Sequence, residues 1–291
     1  LKETKFAYVA GLIDADGSFS ISRSESKEGY IHYDPLIRIR SKHLPTMRWL
    51  VDTFGGYHRP QILDGEIYYQ WKFSSDTQAS RFLEKIIPYV WIKQQQGLVL
   101  KEYYGLQGVQ NKPLRQSLYE KIITLNQNES VTTNTPRLPF SGKILPAYLA
   151  GVFDGEGSAY VIRVKQTYSS GFYYRASISL GMSYKPLIME LQRLYGGAWR
   201  QRPPHRGKLP MYQWDVQDNK SKEIFSLSVL PYLVTKREQV NIALNFARMN
   251  GKPDPEKRIA MWKRCCALNG NMIEPELAGD RESASLVTTT A

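Results

Sequence analysis

Apolar and polar positions along this 291-residue chain change their period in a fixed order, and they do so twice. Residues 5–15 and 145–155 are apolar stretches that predict helices. The segments that follow, 18–24 and 31–40, then 158–166 and 172–182, alternate instead. Phe19 and Ile21 interleave with Ser18, Ser20, Ser22 and Ser24, Ile37 and Ile39 with Arg38 and Arg40, and Ala176, Ile178 and Leu180 with Arg175, Ser177 and Ser179. A period of two marks half-buried strands. Pro45–Phe54 and Pro186–Tyr195 predict helices, each with an early proline, tolerated in a first turn, and a Gly-Gly stop. Two more strands come next in each half, 56–61 with 66–74 and 198–202 with 210–216. In the first pair Gln70 and Lys72 alternate with Trp71 and Phe73. Helices then begin near Asp76 and Asn219 and continue past Lys93 and Lys236. The expected fold is α+β, two pseudo-symmetric αββαββα repeats whose antiparallel sheets are covered by helices on one face.

Landmarks recur in constant order at a near-constant offset: Asp16 with Glu156, Pro45 with Pro186, Gly55-Gly56 with Gly196-Gly197, and Lys93 with Lys236. The unit is too long for a solenoid repeat and indicates a duplicated domain. The boundaries read as a first repeat over 1–127, a linker over 128–144 rich in Thr, Asn, Pro and Ser, a second repeat over 145–273, and a polar tail over 274–291 that is expected to be disordered.

Charge narrows the partners. Thirty-nine Lys and Arg against 27 Asp and Glu give +12, which suits a polyanion. The cations are spread along the chain rather than gathered on one amphipathic helix, which favours nucleic acid over a membrane surface. No apolar run approaches the ~20 residues of a bilayer span, and Leu1–Lys5 show no apolar signal region, so the expected chain is not secreted. Adjacent Cys265 and Cys266 suit buried small-hydrophobe roles in a reducing compartment better than a disulfide or a zinc site.

The repeated helices carry the candidate chemistry. Residues 9–17 read Val-Ala-Gly-Leu-Ile-Asp-Ala-Asp-Gly, and residues 149–157 read Leu-Ala-Gly-Val-Phe-Asp-Gly-Glu-Gly. Gly11 with Ala15, and Gly151 with Gly155, are small residues four apart on one helix face, a spacing that lets two backbones approach closely. If the two helices pack together, Asp16 and Glu156 emerge side by side, and like charges so placed raise each other's pKa unless a cation intervenes. A divalent metal on the two carboxylates, joined by the carbonyls of Ala15 and Gly155, answers that repulsion. One copy alone reads as a helix-ending turn, whereas two copies that both keep an acid read as one two-fold site. Asp14 and Asp154 read as a structural pair bonded to local backbone.

Both segments resemble the motif that names the LAGLIDADG homing endonucleases, and the chain resembles their single-chain, two-repeat members over about residues 5–270. The resemblance implies that the motif helices form the central interface and that the strands of each half form a saddle over double-stranded DNA. Asp16 and Glu156 would then bind Mg2+ beside a scissile phosphate, with Mn2+ able to substitute and Ca2+ able to bind without cleavage. It implies a catalytic lysine in each half, Lys93 and Lys236, whose charge would offset that on the phosphate. The family often places a water-holding Gln after the second strand. The matching residues here are His43 and Tyr184, a departure that leaves that role in doubt and the halves unequal. Further implications are a monomer, a long non-palindromic or pseudo-palindromic site, one break per strand with a short 3′ overhang, no membrane partner, and a setting in an organelle or a microbial cytoplasm. The other reading of such a fold is a group I intron RNA maturase.

On that resemblance the exposed strand faces would contact DNA. The residues are Ser20, Ser22, Ser24, Arg38, Arg40, Arg59, Gln70 and Lys72 in the first half, and Arg175, Ser177, Ser179, Arg200, Arg202 and Gln213 in the second. In the major groove Arg reads guanine and Gln reads adenine. Strand 158–166 is ambiguous: its parity turns Arg163 inward and Ile162 and Val164 outward. Either apolar groups meet thymine methyls, or a bulge shifts the register.

Overall fold

The computed structural model describes residues 2–106, 111–127, 138–165, 171–203, 210–249 and 254–270. Most of the expected linker and the whole of the expected tail lie outside these residues. The first repeat runs α1 (Glu3–Asp16), β1 (Gly17–Glu25), β2 (Ile31–Ser41), α2 (Leu44–Phe54), β3 (Tyr57–Leu63), β4 (Glu66–Lys72), α3 (Asp76–Ile86), a single 3-10 turn (Ile87–Tyr89), α4 (Gln94–Tyr104) and α5 (Lys112–Gln127). The second runs α6 (Ile144–Glu156), β5 (Gly157–Lys165), β6 (Phe172–Met182), α7 (Lys185–Tyr195), β7 (Ala198–Arg202), β8 (Met211–Val216), α8 (Asn219–Val229), α9 (Arg237–Arg248) and α10 (Pro255–Leu268). The αββαββα order accounts for the first seven elements of each repeat, and two further helices close it.

Each repeat forms a four-stranded antiparallel sheet, in the order β1-β2-β4-β3 and β5-β6-β8-β7. One face of each sheet packs on helices. Phe19, Ile21, Ile37, Ile39 and Trp71 are buried there in the first half, and Ala159, Val161, Ile178, Leu180 and Trp214 in the second. The two tryptophans satisfy their indole N–H groups on equivalent carbonyls, Trp71 Nε1 donating to Gly55 O at 2.9 Å and Trp214 Nε1 to Gly196 O at 2.8 Å. The Gly-Gly stops are required by geometry. Gly56 has φ +80°, and a Cβ there would sit 2.5 Å from the Lys72 carbonyl oxygen.

The register resolves the ambiguous strand. β5 pairs with β6 without interruption from Gly157↔Leu180 to Lys165↔Phe172, so the paired segment has no bulge. Arg163 turns toward the helical side, its guanidinium 4.6 Å from the Phe172 ring centre and 4.3 Å from that of Trp262. Cation–π contact with two rings compensates a cation on the covered side. Ile162 and Val164 therefore occupy the opposite face.

The halves join through α1 and α6, which pack at backbone contact. A Cβ on Gly11 would lie 2.0 Å from the Tyr148 carbonyl oxygen, and one on Gly151 would lie 1.9 Å from that of Tyr8. The crossing permits hydrogen at these two points and nothing larger.

Candidate active site

The approach of α1 to α6 brings their C-terminal ends together. Gly155 faces the partner motif, where a Cβ would meet the Ala15 methyl at 2.4 Å and Asp16 Oδ2 at 3.3 Å. The Asp16 and Glu156 side chains keep solvent contact, but protein crowds them. Desolvation pushes the Asp16 carboxyl above its ordinary value, with Lys236 and Lys93 pulling it back. Glu156 is pushed up by desolvation and then by Asp16, against the same two lysines. Thus the structure brings together Asp16, Glu156, Lys93 and Lys236.

Buried acids two residues earlier, Asp14 and Asp154, hold the lysines in place. Asp14 accepts the backbone N–H groups of Trp91, Ile92 and Lys93 at 2.8, 3.0 and 2.9 Å. Asp154 accepts those of Val234, Thr235 and Lys236 at 2.7, 3.0 and 2.8 Å. The expectation of local backbone partners for this pair is corrected here, because the partners lie 77 to 82 residues away. Each acid also crosses the interface, Tyr148 donating its phenol proton to Asp14 at 2.8 Å and Tyr8 to Asp154 at 2.7 Å. A carboxylate with three backbone donors pins the loop before α4 or α9. That loop positions Lys93 or Lys236 at the helix start.

The lysine ammonium groups then reach carbonyls at the C-terminal ends of the motif helices, where the helix dipole favours a cation. Lys93 Nζ donates to Ile13 O (3.1 Å) and Gly17 O (2.9 Å), and Lys236 Nζ to Phe153 O (3.1 Å) and Gly155 O (2.9 Å). Burial holds Lys236 below the usual lysine range, while Asp154, Asp16 and Glu156 oppose that shift. The two caps differ. The Gly155 carbonyl already accepts from Lys236, whereas Lys93 reaches Gly17 rather than Ala15.

A cavity of about 530 Å³ opens beside this centre, lined among others by Asp16, Arg40, His43, Gly155, Thr235 and Lys236. His43 thus shares this cavity with Asp16 and with Lys236 of the opposite half. Tyr184 is buried, its ring edge-on to Trp91 at 5.3 Å.

Cross-strand pairs place most expected contact residues in rows on the face opposite the apolar one. Ser18, Arg38 and Lys72 align with Tyr57, and Arg40 and Arg59 both flank Gln70. In the second half Arg175 aligns with Ile162, Ser177 with Tyr160, Ser179 with Ser158, and Gln213 with Arg200. Three residues are not open as expected: Gln70, Ser179 and Gln213 are only 4%, 6% and 7% exposed. All three lie on inner strands of their sheets. Ser179 Oγ is bonded to Ser158 Oγ at 2.8 Å, and Gln213 Nε2 donates to Asp215 Oδ1 at 2.6 Å. Asp215 also pairs with Arg200 at 3.4 Å, and Asp34 sits opposite Ser22. These two acids were not foreseen.

No protein-family model and no curated protein matches this sequence. Solved structures match it in three dimensions. The I-SmaMI LAGLIDADG homing endonuclease bound to cleaved DNA superposes with a TM-score of 0.68 at 20% identity, over 94% of this chain and 98% of that one. The LAGLIDADG homing endonuclease I-GzeII in complex with its DNA target gives 0.67 at 16% identity, over 92% and 98%. I-SmaMI bound to uncleaved DNA in the presence of calcium ions gives 0.66 at 20% identity, over 91% and 97%. The chain has the LAGLIDADG homing endonuclease fold.

Within that fold the oxygen donors at the foot of the helix pair fit a hard divalent cation. Two carboxylates crowded by protein, one raising the other, are relieved by positive charge. Among the described residues no group of three or more His, Cys, Asp or Glu could hold a metal ion. Two carboxylates are fewer ligands than such a cation takes, so its remaining positions would fall to substrate phosphates and water. Among the described residues no helix is long and apolar enough to cross a membrane.

Two outcomes follow for stability. Asp154→Ala strands buried backbone N–H groups and the Tyr8 hydroxyl. It should cost roughly 3 kcal/mol or more in urea unfolding, the scale of losing a buried hydrogen-bonded charge. Asp16 and Glu156 act in the opposite direction. Their folded-state values lie above those of the unfolded chain, so the folded protein holds extra protons in the window between the two. Stability in the metal-free protein should fall as pH rises through that window and stay reduced above it. Asp16→Asn should flatten that slope in pH-resolved urea unfolding.

Proposed function

We propose that this protein is a monomeric, site-specific DNA endonuclease of the LAGLIDADG homing type that uses a divalent metal, Mg2+ in the first instance, to cut both strands. The observation that carries the reading is the pair of protein-crowded carboxylates at the foot of two helices in backbone contact, set between two sheets with cation-bearing faces. The proteins sharing the fold at full length include nucleases bound to cleaved and uncleaved DNA, one of them with calcium ions, which supports both the substrate and the cation.

The strand rows would lie in the DNA groove and orient the duplex. Arg38, Arg40, Arg59 and Lys72 in one half, and Arg175, Arg200 and Arg202 in the other, supply base-edge and phosphate donors. Ser20, Ser22, Ser24 and Ser177 offer shorter polar contacts, and Ile162 and Val164 suit thymine methyls. Gln70, Ser179 and Gln213 would support their neighbours until DNA draws them out. Asp16 and Glu156, with the carbonyls of Ala15 and Gly155, would hold the metal. When bound, it would lower the pKa of the attacking water and stabilise the leaving oxygen. Lys93 and Lys236 offset charge at the phosphate, and their capping bonds hold them ready. Because the halves differ, the site is expected to be long and non-palindromic, with a short 3′ overhang after cutting.

Incubation with a plasmid library and Mg2+ tests the reading. Linear plasmids sharing one long site are expected, and none with Asp16→Asn. Tight binding of a DNA site without cutting in Mg2+ or Mn2+ would contradict it, and preferential binding of a folded intron RNA would favour a maturase.

A further inference from the structure

The open faces of the two sheets share an outline but differ in charge at one place. In the first sheet Gln70 lies between Arg40 and Arg59, and Lys72 between Arg38 and Tyr57. The equivalent positions of the second sheet put Gln213 between Gly181 and Arg200, and Asp215 between Ser179 and Ala198. Where the first sheet has Arg38, Arg40, Arg59 and Lys72, the second keeps a cation at Arg200 and carries an acid in place of Lys72. A carboxylate repels phosphate and can only accept hydrogen bonds. Its neighbours show what it does on such a face.

Asp215 engages a different neighbour with each oxygen. Oδ1 accepts from Gln213 Nε2 at 2.6 Å, and Oδ2 lies 3.4 Å from Arg200 Nη2. Two oxygens would repel at the first distance, so the Gln213 amide is fixed with its nitrogen toward the acid. Its Oε1 is buried and has no hydrogen-bond partner among the described residues. An amide left to itself would turn that acceptor to water, so the bond to Asp215 keeps Gln213 down in the sheet. Arg200 is held differently. Its side chain is 61% exposed against 14% for that of Asp215, so the guanidinium stands at the surface with further N–H donors available. In the first sheet the equivalent Lys72 can only donate, and its ammonium lies 5.4 Å from the centre of the Tyr57 ring.

Resting on the DNA-binding part of the proposed function, we propose that Asp215 is a positioning residue that restricts one base pair of the target to guanine through Arg200 and Gln213. Guanine presents O6 and N7 as paired acceptors in the major groove, which suits a guanidinium already oriented by a carboxylate. Adenine calls on Gln213 instead, whose amide must offer Oε1 to the N6 amino group and Nε2 to N7. Reaching adenine breaks the Gln213–Asp215 bond and leaves Arg200 facing an amino group. The acid therefore favours one purine over the other. It lowers affinity for DNA in general, because it opposes phosphate, and raises discrimination at this one pair.

The test is equilibrium binding by the full-length protein, without Mg2+, to its selected target and to every single-base variant of that target. Arg200→Ala locates the pair, as the position where a guanine preference disappears. Asp215→Asn should reduce the preference for guanine over adenine at that same pair about tenfold, within the range of one bidentate base contact. Affinity for the sequences as a set should rise at the same time, because an acid facing phosphate is gone. A purely structural role would instead weaken binding to all sequences alike. Asp215→Ser should behave as Asp215→Asn does, and Asp215→Glu, which keeps a carboxylate, should retain part of the preference. The inference is overturned if Asp215→Asn leaves the preference intact, if it weakens binding to all sequences equally, or if Arg200→Ala alters no base position. Selective binding without cutting in Mg2+ would contradict the endonuclease reading and leave this inference standing.

Discussion

Asp16→Asn should abolish double-strand cleavage while DNA binding persists. The substitution keeps the shape of the side chain and removes the charge that a divalent cation needs. A loss of at least ~10³-fold is expected, about 4 kcal/mol of transition-state stabilisation. Each carboxylate is read as serving one strand, so residual product should be mainly a nick in a single strand. Glu156→Gln should give the complementary nick. Activity and stability should also move in opposite directions. Desolvation pushes both carboxyls upward and Asp16 pushes Glu156 further, so neutralising one relieves the folded, metal-free protein at neutral pH. Single-turnover cleavage, DNA-binding titration and urea unfolding of the same three proteins would check all parts. A variant that lost activity together with affinity or stability would point to a structural role instead.

The second large effect lies at the helix crossing. Gly151→Val should leave little folded protein, and Gly151→Ala should already be severely destabilised. The obstacle is backbone: an added Cβ would sit 1.9 Å from the Tyr8 carbonyl oxygen and 2.8 Å from Leu12 N. Flexible side chains can turn aside, but here two helices would have to separate, which opens the core shared by Tyr8, Leu12, Tyr148 and Val152. Overpacking commonly costs 1–3 kcal/mol, and a clash with helix backbone should exceed that range. Against a total stability of about 5–15 kcal/mol, Gly11→Ala should behave alike, since its Cβ would lie 2.0 Å from Tyr148 O. Thermal melts of Gly11→Ala, Gly151→Ala and a control such as Gly181→Ala, whose Cβ would meet only the Tyr212 carbonyl oxygen at 3.9 Å, distinguish this from a general intolerance. Near-wild-type melting of Gly151→Ala would contradict the packing described.

Periodicity and duplication made the framework legible. Alternation located β2, β6 and their neighbours because each sheet has one face on the core, and a one-residue slip would bury Arg38 or Arg175. The paired motifs indicated the helix crossing and the acids at its foot, since small residues four apart on two helices have few other uses. Sequence could not show what holds the lysines in place. Asp14 and Asp154 look like turn formers from their neighbours, and their true partners are backbone N–H groups 77 to 82 residues distant. The Thr46–Thr235 bond spans 189 residues and links residues with no shared motif. Alternation also assigns a residue to a face without giving its depth. Gln70 is on the expected side of β4 yet occluded, because Arg40 and Arg59 flank it on both neighbouring strands.

The most direct test of the account is end-mapping of both strands of the selected DNA target after incubation with Mg2+, comparing wild type with the Asp16→Asn, Glu156→Gln double variant. One break per strand is expected, staggered to leave a short 3′ overhang, with no cleavage of either strand by the double variant despite undiminished binding. Breaks that persisted unchanged in the double variant would contradict the assignment of the chemistry to these two carboxylates.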